Sequence, residues 1–256
     1  MLMAWIGQNQ MGGRTFVGSR GAAASGGVAA RSEAEARTFL QRVYLFMSLG
    51  LATTGLVALA VASSPAAIAF VFGNRLVFFG LLIAELALVA AFAPVAARVS
   101  AGIASGMFFG YAALSGVTFA SIFLRYTAGS IGGTFLITGG MFAAISAYGA
   151  LTRRDLSSLG SFCMMGLVGL VLASVVNIFL GSSMLYWLTT FMGVIVFTGL
   201  TAFDTAKLRA LQERGELGAG QAVTKAALQG ALTLYLDFIN LFLIMLRLLG
   251  GGRRRD

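Results

Sequence analysis

Asp204 and Asp237 lie in stretches that otherwise read as lipid-embedded helix, MLYWLTTFMGVIVFTGLTAFDTAKL and AALQGALTLYLDFINLFLIMLRLLG. A charged side chain at mid-bilayer costs about 2.5–3.5 kcal/mol on insertion scales, so a carboxylate persists there only if paired, hydrated or protonated. Two carboxyls brought together in low dielectric cannot both ionise cheaply; they share a proton and titrate as a pair. Such a pair can sense pH without histidine, and this chain has none. With both groups ionised, the same site offers hard oxygen donors of the kind Ca²⁺ takes.

The neighbours of each acid bear on these readings. At about 100° per residue, Thr233, Asp237 and Asn240 share one helix face, with Arg247 on the same side two turns later. A polar stripe among Leu, Phe, Ile and Met should face the protein interior or water; it is either a functional path or a hydrogen-bonded structural cluster. Asp204 has Thr201 one turn before it and Lys207 one turn after, so local pairing with Lys207 is an alternative to any role in a shared site. Glu85 is a third acid within an apolar span. Arg98 ends that span, one turn after Pro94, and thirteen residues of ideal helix point Glu85 and Arg98 to nearly opposite sides. Arg98 is either an ordinary basic flank or a latch that reaches Asp204.

The elements that must position these residues follow from hydropathy. The chain has 256 residues, 58% of them apolar and only 11% charged, whereas a soluble domain carries about 25% charged residues. Seven apolar segments, at 40–63, 76–97, 101–124, 128–150, 159–180, 184–206 and 226–249, are each near the roughly 20 residues needed to cross a bilayer. This predicts an all-α membrane protein of seven transmembrane helices over 38–249, with a disordered tail over 1–37 and a basic tail over 250–256. The run MLMAWI is too short for a signal-peptide core and lacks a basic start. The short apolar run 66–73 reads as an interfacial loop, and 207–225 as the one long connection.

With the N-terminus inside, the inner loops hold Arg98, Arg153, Arg154, Lys207, Arg209, Arg214 and Lys225, and the outer loops only Arg75 and Arg125. That bias favours a cytoplasmic N-terminus and places both aspartates in the inner half of the membrane. It also carries Arg253–Arg255 outside, unless the last segment re-enters. The net charge of +9 belongs to these scattered flanks and to contacts with anionic lipid, not to nucleic acid. Cys163 sits in an apolar run as a small core residue. Gly102, Gly106 and Gly110, four apart, read as a close-packing stripe inside the bundle, which favours a monomer; a homodimer face is the alternative. No histidine, usable cysteine or nucleophile motif supports an enzyme, and no cofactor is required.

The last segment, LTLYLDFINLFLIMLRLLG, resembles the last-helix signature of the Bax inhibitor-1 family of membrane proteins, and TGLTAFDTAKL resembles its sixth-helix motif. LTRRDLSSLGSF and VVNIFLGSS resemble the bacterial branch, and the resemblance covers 38–249. It implies a seven-helix fold with the last helix central, surrounded by the other six. It implies a pH-sensitive passive Ca²⁺ leak in the inner membrane, sensed by a paired aspartate that falls on Asp204 and Asp237, with Ca²⁺ as the transported ion. The family's basic latch would fall on Arg98, and Glu85 matches an acidic position of bacterial relatives. The alternative it implies is a non-conducting adaptor that modulates a membrane-bound protease or a stress response. A proton-coupled solute carrier lacks the paired half-helix pattern such folds show.

Overall fold

The computed structural model describes the backbone of residues 18–217 and 220–251, and side-chain surroundings from Phe39 onward within those limits. The chain divides into two units, residues 1–37 and 38–256. The expected disorder of 1–37 falls outside the described residues for 1–17, and the basic tail does so from residue 252.

Among the described residues the secondary structure is helical: α1 (Gly18–Ala62), α2 (Pro65–Gly73), α3 (Arg75–Arg98), α4 (Ala101–Arg125), α5 (Ala128–Leu151), α6 (Ser157–Leu180), α7 (Ser183–Glu213) and α8 (Gln221–Leu249). Seven of them, α1 from Phe39 and α3 to α8, are long and apolar enough to cross a membrane, and each contains one of the expected segments apart from residues at its ends. Short polar residues set the starts. Asn74, Ser100, Thr127 and Ser182 each accept a backbone N–H of the first turn that follows, satisfying donors that a helix leaves free. Gly181 ends α6 in the left-handed region at φ 60°, where glycine carries no Cβ penalty.

Two expectations need correcting. The run 66–73 is helix α2, not a loop: the Ser64 hydroxyl accepts from Ala67 N, and Pro65 supplies a preset φ at the first turn. The connection over 207–225 is mostly helix as well. α7 continues to Glu213, with an Arg209–Glu213 pair one turn apart at 3.4 Å, and α8 starts at Gln221. Charged residues there end the apolar window but not the helix. α8 runs unbroken through 29 residues.

α8 is the most enclosed helix: half of its membrane-length window is buried, against 6% for α3 and α6. It packs on α3, α4, α5 and α7, while α6 packs chiefly on α7. α1 reaches α8 through Thr54, whose hydroxyl bonds the Tyr235 hydroxyl at 2.7 Å and donates to Ala112 O of α4 at 2.8 Å. Close helix approach depends on glycines other than the expected stripe. A Cβ at Gly149 of α5 would sit 2.5 Å from Ala202 O of α7, and one at Gly116 of α4 would sit 2.7 Å from Thr54 O of α1. Gly102, Gly106 and Gly110 are exposed and a Cβ on any of them would meet no other helix, so that stripe does not pack inside the bundle. Four-residue spacing fixes a shared face but not which face turns inward.

The helix ends fall into two sets. At one end the last turns of α3, α5 and α7 meet the first turns of α4 and α8, Arg98 ends α3, and Arg153, Arg154 and Arg214 lie just past the ends of α5 and α7. This is called the basic end below. At the far end, Gly251 N, just past α8, donates to Ser130 Oγ of α5, and Arg247 of α8 lies over Tyr186 of α7.

Candidate functional site

The site is built on α8 by a ridge of polar residues four apart: Gln221, Lys225, Gln229, Thr233 and Asp237. Residues at that spacing are neighbours along a helix surface. Gln221 Oε1 accepts from Ala101 N at the start of α4. Lys225 Nζ donates to Ala97 O and Val99 O at 3.0 and 3.2 Å, and Gln229 Nε2 donates to Ala93 O at 3.5 Å. The last carbonyls of α3 have no intrahelical partner, and a cation there also complements the helix dipole. The ridge therefore moors α8 to the end of α3, beside Pro94. A matching contact holds α5: Arg209 of α7 donates to Ala150 O and Thr152 O.

Above these moorings the two aspartates come together. Asp237 is 5% exposed, Asp204 is half-buried, and their carboxyls lie within hydrogen-bonding reach of each other. Asp237 Oδ2 receives no hydrogen bond from any donor group among the described residues. Asp204 also lines a cleft of about 380 Å³ formed by α1, α3, α7 and α8, together with Lys207, Gln229 and Thr233.

The other sequence candidates have these places. Lys207 is exposed, and its charge acts on Asp204, but the two form no ion pair within 4 Å. Arg98 makes no hydrogen bond or ion pair with Asp204 in this form, and the cation that engages the end of α3 is Lys225. Thr201, Thr233 and Asn240 each donate to the carbonyl four residues back, Phe197 O, Gln229 O and Leu236 O, so none of them touches the acids through that proton. Glu85 stands apart and accepts from Thr118 Oγ1 at 2.8 Å. Thr118 belongs to a second polar cluster, on the Tyr235 side of α8, with Ser115 and Tyr111. The stripe read from the sequence is thus divided. Thr233 opens on the cleft, Asp237 is enclosed, and Asn240 and Arg247 line a separate groove of about 420 Å³ against α6 and α7.

Lys225 and Gln229, which bind the α3 carbonyls beside the candidate site, are residues that sequence reasoning missed. Their signal was present as the four-residue ladder that leads to Asp237, hidden because the first two rungs precede the apolar window.

As a cation site, the acid pair offers two carboxyls, whereas resident Ca²⁺ takes six to eight oxygens.

Seven membrane-length helices, with a close pair of acids on the last two, define the class. A family model described as "Inhibitor of apoptosis-promoting Bax1" matches residues 36–255. Over 217 residues the chain is 48% identical to Inner membrane protein YbhL of Escherichia coli (strain K12), covering 85% of this chain and 93% of that protein. It is 41% identical over 222 residues to a protein of Borreliella burgdorferi (85% and 93% covered), and 37% identical over 234 residues to one of Caulobacter vibrioides (86% and 91%). The chain belongs to the Bax inhibitor-1 family.

Proposed function

We propose that this protein is a passive, pH-sensitive cation leak, chiefly for Ca²⁺, in a bacterial inner membrane with its N-terminus in the cytoplasm. The single observation that carries this reading is the meeting of Asp204 and Asp237 behind a cleft that reaches Asp204 from α3 and α8. The inner-membrane location follows the printed name of the E. coli relative, and the orientation follows the basic loops.

Two states account for the pH response. At higher pH the pair holds one shared proton and one negative charge, and the shared proton ties Asp204 of α7 to Asp237 of α8. As pH falls a second proton neutralises the pair. The charge-assisted bond between the two acids is then lost, α7 is freer to move against α8, and the cleft extends past the acids. Protonation of a buried group is a local event with a bistable element to bias, and here that element is the α7–α8 contact. No step makes or breaks a covalent bond, so the protein is not an enzyme in this reading.

The test is Ca²⁺ flux into liposomes that contain only the purified protein, measured over a pH series. Asp204→Asn and Asp237→Asn are each expected to abolish most of the pH dependence, because either variant removes the shared proton. The proposal fails if both variants leave the flux and its pH profile unchanged. Liposomes that carry no ions at any pH would instead leave the adaptor reading standing.

A further inference from the structure

The groove at the far end of α8 carries a feature that an ion path does not use. Its walls, on α6, α7 and α8, are mostly apolar, with Val171, Val175 and Ile178 on the α6 side and Ser174, Thr189 and Asn240 as polar members besides Arg247, and it encloses about 420 Å³. Val171, Val175 and Ile178 are 54%, 48% and 78% exposed, so the groove is open along its α6 side to whatever surrounds the helices. From Leu167 to Ile178 it follows α6 for eleven residues, about 16 Å at 1.5 Å each. That is close to half of a hydrocarbon core of about 30 Å: the groove has the length of one leaflet.

One cation stands at its end. Arg247 lies half a turn from the end of α8, level with the first turn of α7, where the membrane-length segments stop. Its guanidinium sits 5.7 Å from the centre of the Tyr186 ring. Among the described residues it has no carboxylate partner and donates no hydrogen bond. The planar fork of an arginine matches a phosphate in two-point contact, and Tyr186 and Trp187 are in edge contact beside it, the residue types found at headgroup depth.

We infer that this groove is a phospholipid site: one acyl chain lies along α6 between α7 and α8, and the lipid's phosphodiester meets Arg247. The charge, the depth and the length of the hollow all fit that occupant. A net-anionic headgroup is favoured over a zwitterionic one, because Arg247 has no acid of its own to satisfy. Bound there, the lipid spans three helices and touches Asn240, one turn from Asp237.

The experiment is native mass spectrometry of the full-length protein in detergent, titrated with phosphatidylglycerol or phosphatidylcholine. The unchanged protein is expected to retain phosphatidylglycerol adducts over phosphatidylcholine. Arg247→Gln should weaken retention of phosphatidylglycerol by about ten-fold, the scale of one lost charge-assisted contact. Val175→Trp, on an exposed groove wall, should displace both lipids by filling the chain site. Inorganic phosphate at millimolar concentration should not compete. The inference is overturned if Arg247→Gln binds phosphatidylglycerol as the unchanged protein does, if Val175→Trp has no effect, or if free phosphate removes the lipid. Should Arg247→Gln fail to fold, Arg247→Lys, which keeps the charge, and Val175→Trp carry the same decision.

Discussion

Two hollows flank the same helix and differ in what closes them. The cleft near the basic end carries an acid and an amine, Asp204 and Lys207, and its α3–α8 edge is fixed by Lys225 and Gln229 on the carbonyls of α3. The groove at the far end has mostly apolar walls and a single cation, held over an aromatic ring. Along α8, Asp237 lies between Thr233 of the cleft and Asn240 of the groove. A cleft moored by hydrogen bonds can change state when one charge changes. A groove moored by nothing polar can only change by what fills it. The comparison teaches that one polar face of a helix serves two purposes, according to which neighbours it meets.

The sharpest way to break this contrast is to plug each hollow in turn. Gln229→Trp places a large ring in the cleft and is expected to lower Ca²⁺ flux by about ten-fold or more, as a hydrophobic constriction does. Val175→Trp in the groove should leave flux within about two-fold, on the scale of surface substitutions away from a path. Liposome flux at one acidic pH decides it. Equal loss in both variants would mean that the two hollows form one route.

A smaller effect separates the two basic residues near the end of α3. Lys225→Met removes two charge-assisted bonds to Ala97 O and Val99 O. It is expected to destabilise the protein by about 1–2 kcal/mol, the scale of such bonds at a partly exposed helix end. Arg98→Met removes no such bond and should stay within about 0.5 kcal/mol. Thermal unfolding in detergent compares them. If Arg98→Met is the more damaging, the mooring has been assigned to the wrong residue.

The residues explain which parts of this arrangement were legible in the sequence. The seven spans were, because apolar runs of bilayer length have few other outcomes. The meeting of Asp204 and Asp237 was reachable from topology, since α7 ends where α8 begins. The moorings were not, because a lysine bound to backbone carbonyls of another helix leaves no pattern in its partner: any residue has a carbonyl. The inward-facing side of α4 was misread for a related reason. Gly102, Gly106 and Gly110 share a face by spacing, but the side that packs is set by larger residues such as Phe108, fully buried and in edge contact with Tyr235. The division of the polar stripe into cleft and groove depends on where α6 lies, which no motif on α8 records.

The smallest expected effect concerns the basic end itself, outside the membrane-spanning segments. Asp155 precedes α6 and accepts from Ser157 N at 2.9 Å. The Ser157 side chain and backbone, with Arg214 nearby, hold its carboxyl below the usual carboxylate range. A depressed folded-state value means the ionised form is favoured by the fold. Its stabilising contribution is present above the unfolded value of about 4 and is lost as pH falls through the lowered folded value. Asp155→Ala should therefore lower the melting temperature slightly at pH 7 and make no difference in strong acid. The fully exposed position and salt screening keep the effect small. Over the range near neutrality where the acid pair is proposed to act, Asp155 stays ionised, so this variant should leave the pH profile of the leak in place. A shifted profile would mean that the loop before α6, and not the cleft, carries part of the sensing.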